Sequence, residues 1–89
     1  MTKLTGISLR LYNIALERIN SNKELGLDFA SFSATLPKDV QRRLMEDGYR
    51  IILKDFFDGN IAIRVVWAKD YKPSRYWEHE LHAYEVSDE

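Results

Sequence analysis

Apolar residues recur along the first twenty positions at steps of three and four. Leu4, Ile7, Leu11, Ile14 and Ala15 share one face, and Leu9, Tyr12, Leu16 and Ile19 widen it. That period predicts an amphipathic helix over Leu4–Ile19, with Arg10, Asn13, Glu17, Arg18 and Asn20 on its polar side. Thr5 or Ser8 is placed to cap its start. Gly26 can take the left-handed conformation that ends a helix, should this one run past Ser21-Asn22. The apolar arc is too wide for one neighbour, so more than one side of the helix is expected to be covered.

After Gly26 the period changes. Leu27 and Phe29 alternate with Asp28, and Phe32 and Ala34 then take the other parity, which fits a strand with a bulge or an extended connection. Pro37 suits the first position of a second helix, where its missing N–H costs nothing. Val40, Leu44 and Met45 form that helix's buried stripe, Leu36 leads into it, and Gly48 stops it. Tyr49, Ile51 and Leu53 then alternate with Arg50, Ile52 and Lys54. Ile61, Ile63, Val65 and Trp67 alternate with Ala62, Arg64, Val66 and Ala68. Asp58-Gly59 between the two runs signals a hairpin, because glycine accepts the positive φ of the turn.

Two readings compete for residues 73–86. Pro73 can open a last helix, on which Trp77, Leu81 and Tyr84 recur at i, i+4 and i+7. Alternatively Glu80, His82, Tyr84 and Val86 lie on one side of a further strand. The glutamates and Ala83 favour the helix. The expected fold is one small α+β domain spanning residues 1–89. It has an N-terminal helix, a second short helix, an antiparallel sheet built on the hairpin, and a C-terminal helix. The acidic end at 85–89 is expected to be flexible.

Composition narrows the chemistry. The chain has 89 residues, is 45% hydrophobic and 12% aromatic, and contains no cysteine. Disulfides, zinc thiolate sites and thiol nucleophiles are therefore excluded. A domain of this size buries only about 60% of its unfolded surface, so an oligomer interface would help it. Thirteen basic and 14 acidic residues leave a net charge of -1, unlike the basic excess of a general nucleic-acid binder. No signal-peptide pattern is visible, and no apolar run approaches the ~20 residues of a membrane span. A cytoplasmic protein with no membrane partner is the expectation.

Candidate sites are few. His79 and His82 stand three apart beside Glu78 and Glu80, but two histidines without a third ligand do not make a metal centre. Neither a phosphate loop nor a nucleophile with an oriented base is visible, so no enzymatic activity, cofactor or metal is expected. Lys69, Tyr71, Lys72, Arg75, Tyr76 and Trp77 interleave cations with aromatics. Such a set can stack on bases and pair with phosphates, can form a protein-binding hot spot, or can serve a small core. Arg42 and Arg43 are expected to face outward from the second helix. Together with Lys69, Lys72 and Arg75 they are the candidate set for nucleic acid.

Leu36, Pro37, Val40, Leu44, Gly48, Tyr49 and Trp67 carry a helix–Gly-Tyr–hairpin–Trp pattern. In this the chain resembles small uncharacterised accessory proteins of tailed bacteriophages over residues 4–67. The resemblance implies an accessory role in a host-cell cytoplasm and supplies no catalytic residues. The expected function is non-enzymatic binding to another protein, either a host factor or a second copy. A nucleic-acid-associated binder using the Lys69–Trp77 segment is the alternative.

Overall fold

Two helices pack on one face of a four-stranded antiparallel sheet. The computed structural model describes residues 2–33, 36–56 and 58–86. The expected flexibility of the acidic end falls mainly on residues 87–89, outside that set, and so does the Ala34 end of the first strand.

The first helix, α1 (Gly6–Glu24), follows Thr5, whose side chain makes no capping bond. It runs past Ile19 and ends at Gly26 (φ 79°). There Leu27 N–H donates to Asn22 O, and Gly26 N–H donates to Lys23 O. The second helix, α2 (Lys38–Glu46), ends the same way at Gly48 (φ 102°). Tyr49 N–H reaches Leu44 O and Gly48 N–H reaches Met45 O. This paired closure satisfies orphan carbonyls and demands a left-handed residue.

The strands are β1 (Phe29–Ser33), β2 (Arg50–Asp55), β3 (Ile61–Val66) and β4 (Glu78–Glu80), in the order β1-β3-β2-β4. Hydrophobic alternation sets the register. Val65 pairs with Ile51 and Ala30, and Ile63 with Leu53 and Phe32. These residues face the helices, and Ala30, Ile51, Ile63 and Val65 form one core with Tyr12, Ile19, Val40 and Leu44. At the hairpin, Asn60 N–H donates to Asp58 Oδ1, and Gly59 takes φ 86°.

Three expectations are corrected. The first strand carries no bulge: Phe29 to Ser33 pair one-to-one with Val66 to Ala62, because Phe29 and Phe32 lie on opposite faces, both of which are covered. On α1 the buried row is Tyr12, Ala15 and Ile19, while Ile7 is 76% exposed and Ile14 48%. Small Ala15 allows close approach, and the Tyr12 hydroxyl donates to the Asp47 carboxylate beyond α2, which fixes the helix in this rotation. Residues 73–86 form no continuous helix. One turn closes with Glu78 N–H on Ser74 O, then β4 pairs with β2, and a single 3-10 turn spans Ala83–Val86. The alternation of Glu78 and Glu80 with His79 and Leu81 suits a sheet edge. Two arginines on the sheet hold the glutamates there, which outweighs their helix preference.

Candidate functional site: an anchored strap across the open face of the sheet

The face of the sheet turned away from the helices carries Arg50, Ile52 and Lys54 of β2, with Ala62, Arg64 and Val66 of β3. Ile52 and Val66 are fully buried there. The cover is the strap between β3 and β4, residues 67–77.

Two charged clusters hold the strap down. The Arg50 guanidinium grips Glu80 with two bonds, Nε to Oε2 at 2.9 Å and Nη2 to Oε1 at 2.7 Å. Its Nη1 donates to the strap carbonyls of Tyr71 at 2.8 Å and Ala68 at 3.3 Å. Hydrogen bonding to Arg50 holds the Glu80 carboxyl below its ordinary range, and the same bond raises Arg50. In the second cluster Arg64 Nη1 donates to the Tyr71 hydroxyl at 2.9 Å, and that hydroxyl donates to Glu78 Oε2 at 2.5 Å. Arg64 also lies 3.8 Å from Glu78 Oε1, and the Glu78 side chain is only 7% exposed. Phe29 receives the Arg64 guanidinium over its ring at 4.4 Å and the Tyr71 ring edge-on at 6.1 Å. Burial first, and the bond to Glu78 second, raise the Tyr71 phenol.

The strap residues therefore divide. Tyr71 is an anchor, whereas Lys69, Lys72, Arg75 and Tyr76 point to solvent, Tyr76 being 80% exposed. Trp77 is 42% exposed, and its carbonyl accepts from Asp55 N–H at 2.7 Å. That bond places Trp77 opposite Asp55, at the hairpin end of the sheet. Tyr76 and Trp77 are therefore exposed side chains on a fixed backbone.

Arg42 and Arg43 do not join this surface. They lie on α2, across the sheet from the strap, and they are half-buried rather than outward. Arg42 donates to Thr2 Oγ1 and to Val86 O, both at 3.1 Å. Arg43 donates to Thr2 O at 3.2 Å, lies 3.5 Å from Asp47 and covers the Tyr12 ring at 5.1 Å. Together they fasten both ends of the described chain to α2. His79 bonds Glu85 at 3.0 Å, and His82 stacks on Tyr84 at 5.5 Å. Among the described residues no group of three or more His, Asp or Glu is placed to hold a metal ion.

The residues missing from the sequence expectation are Arg50, Arg64, Glu78 and Glu80 as strap anchors. One signal was present. Arg50 and Arg64 share a parity with apolar Ile52 and Val66 in two consecutive strands, which marks a second covered face.

Fold and site define a small antiparallel α+β domain with helices on one face and an anchored strap on the other. Comparison with known proteins finds no matching family model, no matching curated protein and no matching solved structure. No helix among the described residues is long and apolar enough to cross a membrane.

Proposed function

We propose that the domain is a non-enzymatic protein-binding module, with Tyr76 and Trp77 as the contact anchors. The observation carrying this is the exposure of both aromatics on a backbone tied down at Tyr71 and Trp77. Exposed aromatics on a fixed backbone lose little entropy on binding, and tryptophan, tyrosine and arginine dominate interface hot spots. Lys69, Lys72 and Arg75 supply a polar rim that favours an acidic partner surface. The resemblance to tailed-phage accessory proteins makes a bacterial host protein the partner class to test first.

The alternative nucleic-acid reading loses two of its five cations, because Arg42 and Arg43 stand on the opposite side of the sheet and are engaged there. Affinity capture from bacterial lysate with the wild type, Trp77→Ala and a Lys69→Ala/Lys72→Ala/Arg75→Ala triple variant tests the proposal. A captured protein should be lost with Trp77→Ala and only weakened by the triple variant. Retention by Trp77→Ala with loss in the triple variant, or salt-sensitive capture of DNA or RNA, overturns it.

A further inference from the structure

The outward row of α1 does not fit a solvated surface. Ile7 is 76% exposed, Ile14 is 48% exposed, and Leu11 lies half-buried between them. Beside them a groove of about 350 Å³ runs between α1 and β1, lined by Leu11, Ile14, Arg18, Phe32 and Leu36. The charges on the same row are opposite and uncompensated. Arg10 has no acidic residue three or four positions away, and Glu17 has no basic one. Pairs on one helix form only at those spacings. Arg10 and Glu17 are seven apart, so they share a face but cannot meet within one helix.

The neighbouring strand edge is closed. The carbonyls of Phe29, Ser31 and Ser33 alternate away from β3. Asn22 Nδ2 takes the first at 3.0 Å, Arg18 Nη1 the second at 2.9 Å, and Leu36 N–H the third at 3.3 Å. A partner strand would have to break these bonds, which favours extension of this side through the helix.

We propose that a second copy of this chain docks on this face, the two α1 helices running antiparallel about a two-fold axis near Ile14. An isologous contact of this kind requires a self-complementary surface, and α1 has one. About this axis Ile14 meets its counterpart, Ile7 and Leu11 flank it, and Arg10 of each copy stands opposite Glu17 of the other. The charges that have no partner within the helix thus acquire one across the axis. The contact spans only a few helical turns and sits at the small end of specific interfaces. This surface is separate from the strap, and the inference does not rest on the function proposed for it.

Sedimentation equilibrium over micromolar concentrations tests the proposal. The wild type should show a monomer–dimer equilibrium, and Ile14→Asp should be monomeric with an unchanged circular dichroism spectrum. Arg10→Glu and Glu17→Arg should each weaken the dimer by about tenfold, because each change sets two like-charge pairs across the axis. The Arg10→Glu/Glu17→Arg double variant re-forms both pairs with swapped signs and should return to near wild-type affinity. Trp77→Ala should leave the equilibrium unchanged. A wild type monomeric throughout, a dimer that survives Ile14→Asp, a double variant no tighter than the singles, or a dimer lost with Trp77→Ala would each overturn the proposal.

Discussion

Tyr71→Phe removes one oxygen from the centre of the strap anchor and leaves the ring on Phe29. The hydroxyl donates to Glu78 at 2.5 Å and accepts from Arg64 at 2.9 Å, so two bonds to charged groups disappear together. Little replaces them. The Glu78 side chain is 7% exposed, its remaining charged neighbour is Arg64 at 3.8 Å, and Arg64 Nε is already buried without a hydrogen-bond partner. Hydrogen bonds to charged groups contribute about 1.5–3 kcal/mol each, and partial re-solvation of Arg64 offsets part of the sum, which leaves a net cost of about 2 kcal/mol. For a domain of this size each kcal/mol lowers Tm by about 4–8 °C, so the midpoint should fall by about 8–16 °C. Thermal denaturation followed by circular dichroism reads the shift, and Tyr71→Ala should fall further because it also removes the ring. A Tyr71→Phe midpoint within about 2 °C of the wild type would refute the claim that this hydroxyl anchors the strap.

Three further outcomes follow from the same geometry. The folded-state pKa of Glu80 lies below the ordinary glutamate value of 4.5 because Arg50 bonds its carboxylate. Its stabilisation is therefore present above that value and lost as pH falls through the lower folded value, so Glu80→Gln should flatten the acid limb of a Tm-against-pH curve. Gly48→Ala meets open space but keeps φ 102°, so it should cost about 1 kcal/mol by chemical denaturation through backbone strain alone. Val65→Asp places an unpaired charge at a fully buried position on β3, one of the two inner strands, and it should abolish the cooperative thermal transition.

The parts of the fold legible in the sequence are those set by local chemistry. Gly26, Gly48 and Gly59 all take positive φ at the ends and turn expected of them. The period-2 runs gave the β2–β3 register, since slipping by one residue would have turned Ile51, Ile63 and Val65 outward. What the sequence did not reveal depends on partners distant along the chain. The rotation of α1 is decided by a tyrosine meeting Asp47, 35 residues away. The path of residues 73–86 is decided by Arg50 and Arg64 binding Glu80 and Glu78, which helix propensity does not weigh. Within the candidate site the exposed aromatics could be named from the chain. Tyr71 could not be sorted from them, because its anchoring role exists only once β2 and β3 are paired beneath it.

The commitment of cations within the fold bounds what nucleic acid could gain here. Arg50 and Arg64 hold glutamates, Arg42 and Arg43 hold Val86 and Thr2, and Arg18 closes the β1 edge. Lys23 bonds the Tyr49 hydroxyl and covers the Tyr49 and Trp67 rings. On the strap this leaves Lys69, Lys72 and Arg75. Three phosphate contacts limit the slope of log K against log salt to about -2.7 for duplex DNA. Binding that weak in charge is lost at physiological ionic strength unless base stacking on Tyr76 and Trp77 adds to it. Titration of labelled single- and double-stranded DNA at two salt concentrations should therefore show no saturable complex at the higher one. A steeper slope would require cations from outside the strap, and would refute a nucleic-acid contact limited to Lys69, Lys72 and Arg75.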